Sequence, residues 1–397
     1  MLHVPLQKFM SRAKKHNSNH FKLSQVILII LLIAATWYVN AWDMVTVVPK
    51  NEHVKYFSES LAGPYVVHGI EADLTRGDVG LMAWRSGGLV TTTRQMRDAS
   101  TAGNKVYGGL NADFFSFQST LPIGNHVTDG EFVYGIHSRR SHVLVDDTGK
   151  ILYEPVSFEG RIQKGNDLNL RLTGVNRHRA NDQAMFYNKY YEGVSRNDST
   201  GIELAVRLLP DFNWKAGNEV KMVVDSVKNG YMHNMGRRTL ISVGSSHSDF
   251  QSYRRLKSAD TLSVFLGFRN PSLKNIMQVV GGGGRILRDG KEATSENVEI
   301  EGISESFLTT RHPRSVVATN KDGSKVWLLA IDGRQSSSIG MNFEEMAAYL
   351  KTLGAWDAVN LDGGGSTTLV YENRIVNSPS DPTGERAVAN IIMLVGK

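Results

Sequence analysis

The chain has 397 residues, 41% of them hydrophobic and 21% charged, with 38 Gly, 10 Pro and no Cys. That composition belongs to a folded protein able to bury a sizeable core and excludes a disordered or fibrous polymer; without cysteine, disulfide scaffolds, thiolate metal sites and thiol nucleophiles are excluded too. Five of the 45 Lys and Arg (Lys8, Arg12, Lys14, Lys15 and Lys22) precede Trp42 and no Asp or Glu does, so the formal charge of +6 leaves 40 basic against 39 acidic residues, or +1, in the rest. A body so balanced lacks the basic footprint that displaces counterions from nucleic acid, and no nucleic-acid partner is expected.

Residues 1–22 form a basic leader, and 23–42 an apolar segment with Trp37 and Tyr38 at its far edge. Its length approaches the ~20 residues of a spanning helix, and no polar face interrupts it. The segment therefore reads as a signal-anchor, or as a secretion signal if cleaved near Val39-Asn40-Ala41. The charge asymmetry puts the leader in the cytoplasm and residues 43–397 outside, tethered through 23–42 or secreted.

Beyond residue 43 no linker, repeat or charge run divides the chain, so one extracytoplasmic domain is expected. Frequent glycine and short β-branched runs predict an α+β class: β-rich mixed sheets with a few helices. Strands are predicted at 65–70, 143–145, 220–224, 262–266, 277–280, 315–319, 326–331, 358–361, 368–371 and 390–394, while 160–275 is the least legible stretch. The clearest helix is 343–353, with Phe343, Met346, Ala347 and Leu350 on one face. Asn342 and Glu345 suit a capping box, and Gly354 suits a left-handed C-terminal residue.

The strand before Asp332-Gly333-Arg334 and the strand before Asp362-Gly363-Gly364-Gly365-Ser366 flank this helix. Such a unit predicts a right-handed parallel crossover that brings both strand ends to one sheet edge, where open sheets bind ligands. The Asn320-Lys-Asp-Gly323 turn folds the preceding strand back and carries Arg314 towards Asp332. Two carboxylates, two guanidiniums and glycine amides suit an anionic sugar or phosphate: Arg binds phosphate oxygens in pairs, glycine permits close approach, and a carboxylate supplies acid, base or nucleophile. The bland alternative makes Asp332 and Asp362 turn residues and Arg314 a structural cation; two such turns at equivalent strand ends weigh against it.

Gly281 to Gly284, with Gly282 and Gly283 central, is either a ligand-approach loop or a flexible turn. Asn111 and Asp113 put polar groups into the aromatic stretch ending in Phe114-Phe115 and are further candidates, although either could hold a turn. No zinc motif, EF-hand loop, P-loop or Gly-x-Ser-x-Gly elbow is present. A divalent cation, Mg or Ca, held by Asp113, Asp332 or Asp362 would leave little sequence trace.

Taken in order, Asn111-Ala-Asp-Phe-Phe115, Gly281 to Gly284, His312-Pro-Arg-Ser315, Asp332-Gly-Arg334, Leu361-Asp-Gly-Gly-Gly-Ser-Thr367, Asn377-Ser-Pro-Ser-Asp381 and Glu385-Arg386 resemble the phosphodiester glycosidase family, from roughly residue 60 to the C-terminus. The resemblance implies hydrolysis of a sugar 1-phosphodiester at its anomeric carbon on an envelope or extracellular glycan such as an exopolysaccharide. For that reaction Asp362 or Asp332 suits catalysis, and Arg314, Arg334, Arg386, Gly363 to Gly365 and Ser366 suit substrate or phosphate binding. The family usually has Arg-Thr where this chain has Arg314-Ser315, and often Asn-Gly where it has Asn111-Ala112. The second departure bears on substrate identity. Two other readings remain open: a metal-dependent phosphodiesterase cutting P–O bonds of a teichoic-acid-like polymer, and a non-catalytic module that binds anionic glycan.

Overall fold

Continuous apolar runs such as Val326-Trp-Leu-Leu-Ala-Ile331 can be buried on both faces only inside a layered β structure. The computed structural model describes residues 51–166, 168–191, 201–230 and 238–397, and residues 50–397 form one compact unit. The expected leader and apolar segment lie outside the described residues. Among the described residues no helix is long and apolar enough to cross a membrane.

Four main sheets make up the fold. One has seven strands in the order Val54–Leu61, Tyr65–Asp73, Lys325–Ile331, Arg314–Thr319, Asp357–Asn360, Arg285–Arg288 and Lys291–Glu292, every pairing antiparallel. Two sheets have five strands each, and one places Lys105–Asn111 between Leu369–Tyr371 and Ile391–Gly396. The fourth, with eight strands, fills residues 158–268 and contains one parallel pair, Gly174–Val175 with Ala184–Tyr187. Its apolar face packs with Val127, Phe132, Leu144 and Val279 of a five-stranded sheet into one cluster that also holds Phe158, Phe186 and Phe268. The stretch least legible in sequence is thus a separate sheet-forming region.

All ten predicted strands lie on observed ones, and the helix spans Phe343–Thr352. Its capping box is present: the Asn342 side chain accepts from the Glu345 amide and the Glu345 carboxylate accepts from the Asn342 amide. Phe343, Met346 and Leu350 are buried against Trp327, Leu329 and Ile331 of the seven-stranded sheet. Burying one such side chain stabilises the fold by about 1.5–3 kcal/mol. Trp327 is satisfied as well, its indole N–H donating to Glu71 Oε2 at 2.8 Å.

The predicted crossover is corrected in one respect. Lys325–Ile331 and Asp357–Asn360 do run in the same direction, but they are not neighbours, because Arg314–Thr319 is inserted between them and is antiparallel to both. The Asn320–Gly323 turn makes this so by returning the chain at once into an adjacent strand. The consequence for chemistry survives, since both strands still end at one sheet edge, where Asp332 and Asp362 follow them.

Candidate active site

Asp362 leaves its strand with its amide donating to Ala112 O at 2.8 Å. Its backbone carbonyl accepts from Asn111 Nδ2 at 2.6 Å, while Asn111 Oδ1 accepts from Ser315 Oγ and from the Thr368 amide. Asn111 is fully buried and therefore positions the Asp362 loop from beneath instead of facing a ligand. The Ser366 hydroxyl and the Gly363 amide bond the Asp362 carboxyl. Burial nevertheless outweighs these bonds and the attraction of Arg386 and Arg140, pushing Asp362 up to about 7.

The second carboxyl is Asp113. It is 1% exposed, and its amide donates to Asn390 Oδ1, whose Nδ2 contacts His126 Nδ1 at 2.8 Å. Asp113 Oδ2 accepts from the Gly124 amide at 2.8 Å, whereas Oδ1 is buried without a partner. Burial raises this carboxyl to about 8, and the nearby Asp362 adds to the effect. Glycine is required around it, because a Cβ on Gly124 would lie 2.7 Å from Asp113 Oδ2 and one on Gly281 would enter the carboxylate. A Cβ on Gly283 would enter the Phe114 ring, and one on Gly282 would lie 2.9 Å from the carbonyls of Asn360 and Ser141. The glycine run thus serves close packing of backbone, carboxyl and ring.

Three guanidiniums lie near the Asp362 loop. The Arg386 Nε donates to Asp381 Oδ2 at 2.6 Å, and its Nη1 lies 3.5 Å from Ser366 Oγ. Arg334 is exposed, adopts φ 60°, and would sit 3.1 Å from a Cβ on Gly364. Arg140 lies 5.2 Å from the Phe114 ring centre. Neither Arg334 nor Arg140 makes an ion pair among the described residues, which leaves two cationic groups for an anion. The loop amides contribute less than expected: Gly364 donates to Pro313 O, and Gly363 to Asp362 itself.

Two expectations are corrected. Asp332 does not face Asp362 as its partner carboxylate: its oxygens are bonded by Asn377 Nδ2 at 3.1 Å and the Ser378 amide at 3.0 Å, and Oδ2 lies 3.2 Å from His68 Nε2. It is 4% exposed and anchors the 377–378 loop, while Asp113 takes its place beside Asp362. Arg314 is no phosphate clamp. It is 1% exposed, donates to the carbonyls of Met341, Phe307 and Thr310, and lies against the Phe307 and Phe343 rings. Asp113, Asp332 and Asp362 do not assemble into a metal site, and among the described residues no three His, Asp or Glu side chains do.

Sequence reasoning missed Arg140 and the supporting residues Asn390, His126 and His142. His142 accepts from the Asn125 amide at Nε2 and contacts the Arg140 carbonyl through Nδ1 at 2.7 Å, and burial holds its ring down at about 4. The Arg139-Arg140 step before a buried strand was the available signal. A cavity of about 450 Å³ opens beside Arg140 and Gly283, walled by Phe114, Phe115, Ile123, Ile303 and Phe307. A second, of about 520 Å³, lies at the opposite end of the seven-stranded sheet, near Lys150 and Lys321, and contains none of the site groups.

The elevated Asp113 predicts a stability signature. Its folded value of about 8 exceeds the unfolded ~3.9, so the folded state holds the proton more tightly; the resulting stability is full below pH ~4 and is lost as pH rises through 8. Asp113→Asn should therefore gain stability over the parent as pH rises from 5 to 8, by on the order of a few kcal/mol. Thermal melts across that range check it, and a pH-independent difference between the two proteins would refute the elevated value.

Residues 213–395 match the family model described as phosphodiester glycosidase. N-acetylglucosamine-1-phosphodiester alpha-N-acetylglucosaminidase of Bos taurus is 31% identical over 109 residues, which is 28% of this chain and 20% of that protein. A prophage-derived uncharacterized protein of Bacillus subtilis is 33% identical over 109 residues, or 28% of this chain and 16% of its own length. The chain thus covers about a fifth of the curated relatives it matches. A crystal structure of a hypothetical protein from Synechocystis superposes with a TM-score of 0.66 at 19% identity, covering 87% of this chain and 62% of that one; it shares the fold.

Proposed function

We propose that this chain, which belongs to the phosphodiester glycosidase family through residues 213–395, hydrolyses a sugar 1-phosphodiester at the anomeric carbon, releasing free sugar and a phosphomonoester. The observation that carries the reading is the pairing of Asp113 and Asp362, two buried carboxyls held near 8 and near 7, beside Arg140 and Arg386, with Arg334 against Gly364 of the Asp362 loop. Groups titrating near the working pH suit proton transfer, and a cleft that combines them with guanidiniums suits an anionic ester.

In this reading Arg386 and Arg334 bind the phosphate and stabilise the charge that grows on it as the C1–O bond breaks. A phosphate leaves without needing full protonation, so the remaining task is delivery of water to an oxocarbenium-like C1. Deprotonated Asp362 takes the proton of that water as its oxygen bonds to C1. Asp113 stays protonated, so that two negative charges do not face each other and the anionic substrate at once. The family relative's printed name points to N-acetylglucosamine as the first sugar to offer. We further propose that the domain acts outside the cytoplasm behind the 23–42 segment; protease protection of intact cells checks that, and a protein found free in the cytosol would contradict it.

Phosphorus NMR with a free-sugar assay tests the reaction on an N-acetylglucosamine 1-phosphodiester, with and without chelator. Free sugar plus a phosphomonoester is the expected result. A sugar 1-phosphate would mean P–O cleavage, and chelator sensitivity would then point to the metal-dependent phosphodiesterase.

A further inference from the structure

The site's two sides differ in character. On one, Arg334 and Arg386 lie against Gly364 and Gly365. Immediately beyond Arg386 is Phe117, whose ring centre is 5.9 Å from the guanidinium carbon and 5.0 Å from the Phe115 ring. Phe117 is 67% exposed, far more than any other large apolar residue among those described. It stands at the tip of a tight loop closed by the Ser116–Leu121 and Thr120–Ser116 backbone bonds and by the Phe115–Pro122 bridge. Ile123, 37% exposed, follows on the same loop and lines the cavity with Phe115.

A phenyl ring two-thirds exposed on a braced loop contributes little to the fold beyond its edge contact with Phe115, since most of its apolar surface remains hydrated. Its position explains it better: a group esterified to a phosphate held by Arg386 has the Phe117 ring as its neighbour, and Ile123 follows on the same loop. Ring face and aliphatic surface reward apolar area, not hydroxyls that would lose hydration there. Resting on the hydrolase reading above, we infer that the alcohol side of the phosphodiester is apolar, an alkyl or lipid chain, and that Phe117 and Ile123 select it.

The test compares two esters of N-acetylglucosamine 1-phosphate, octyl and methyl, both below the micelle concentration, on the full chain and on Phe117→Ala. The parent should favour the octyl ester in kcat/KM by about tenfold or more, because each buried methylene contributes to binding. In Phe117→Ala the octyl-to-methyl ratio should fall to within about twofold, and Ile123→Ser should move it the same way. A parent that treats both esters alike, or a ratio untouched by either substitution, overturns the inference while leaving the hydrolase reading intact. If neither ester is cleaved, the hydrolase reading fails for this sugar. Titration calorimetry with octyl phosphate and methyl phosphate then decides the inference by itself: about tenfold tighter octyl phosphate binding that Phe117→Ala removes supports it, and equal binding overturns it.

Discussion

Asp362→Asn is expected to lower kcat by about 10²–10⁴-fold, the range lost when a positioned acid or base is removed, while the melting temperature stays within a few degrees or rises. The amide fills the same volume and keeps one acceptor oxygen for the donors around it, but it cannot take a proton from water. The parent should show a bell-shaped profile in kcat/KM. On the acid side the rate rises as Asp362 deprotonates through about 7; on the alkaline side it falls as Asp113 loses its proton through about 8. Because the two are neighbours, the limbs report the pair and not either residue alone. Asp113→Asn separates them, since it should flatten the alkaline limb and keep the acid one. Undiminished turnover in Asp362→Asn would remove Asp362 from the mechanism, and a profile flat between pH 6 and 9 would remove the pair.

How far the site could be read in advance depended on the range of the interactions that build it. The loops bearing Asp332 and Asp362 were legible because local signals mark them: an apolar strand, an Asp-Gly turn, a capped helix and a second such strand. Their placement at one edge followed from strand direction, although the two strands are not neighbours: Arg314–Thr319, itself legible as the hairpin partner of Lys325–Ile331, lies between them. The carboxyl that joins Asp362 was harder to identify. Asp113 stands out in the sequence only by its polarity among aromatics, and of its partners Gly124 is 11 residues away while Gly281 and Asn390 come from distant parts of the chain. Nothing local distinguishes a carboxyl held neutral in such a cradle from one that closes a turn. The 158–268 sheet was the least legible part for a related reason: several of its strands alternate buried with partly exposed residues, and their order in the sheet departs from their order in sequence.

Arg314 illustrates the opposite error and leads to the second large effect. Its placement beside a glycine-rich loop and an Asp-Gly-Arg turn made it look like a ligand for phosphate, yet the structure closes it over completely. Three carbonyls, from Phe307, Thr310 and Met341, accept from its Nε and Nη2, with the Phe307 ring 4.6 Å and the Phe343 ring 5.1 Å from the guanidinium carbon. Burial and the neighbouring Arg334 charge pull it down to about 10, so it remains charged at neutral pH. Those carbonyls lie on the short helix Glu305–Thr309, the residue after it, and the turn leading into the helix Phe343–Thr352; the guanidinium therefore ties both to the strand Arg314–Thr319. An ammonium cannot span acceptors arranged for a planar fork, and an unpaired buried carbonyl costs about 1–3 kcal/mol. Arg314→Lys should accordingly lose about 3 kcal/mol, or roughly 4 °C in melting temperature for a domain of this size. Arg314→Met, which keeps apolar bulk but no donors, should lose at least as much. At a temperature where the variants are still folded, KM should change less than about threefold, whereas Arg386→Gln should raise KM by about tenfold or more, because it removes a cation from the substrate's phosphate. If Arg314→Lys melts like the parent and raises KM as much as Arg386→Gln does, Arg314 is the phosphate clamp after all and the closed geometry around it opens in the working enzyme.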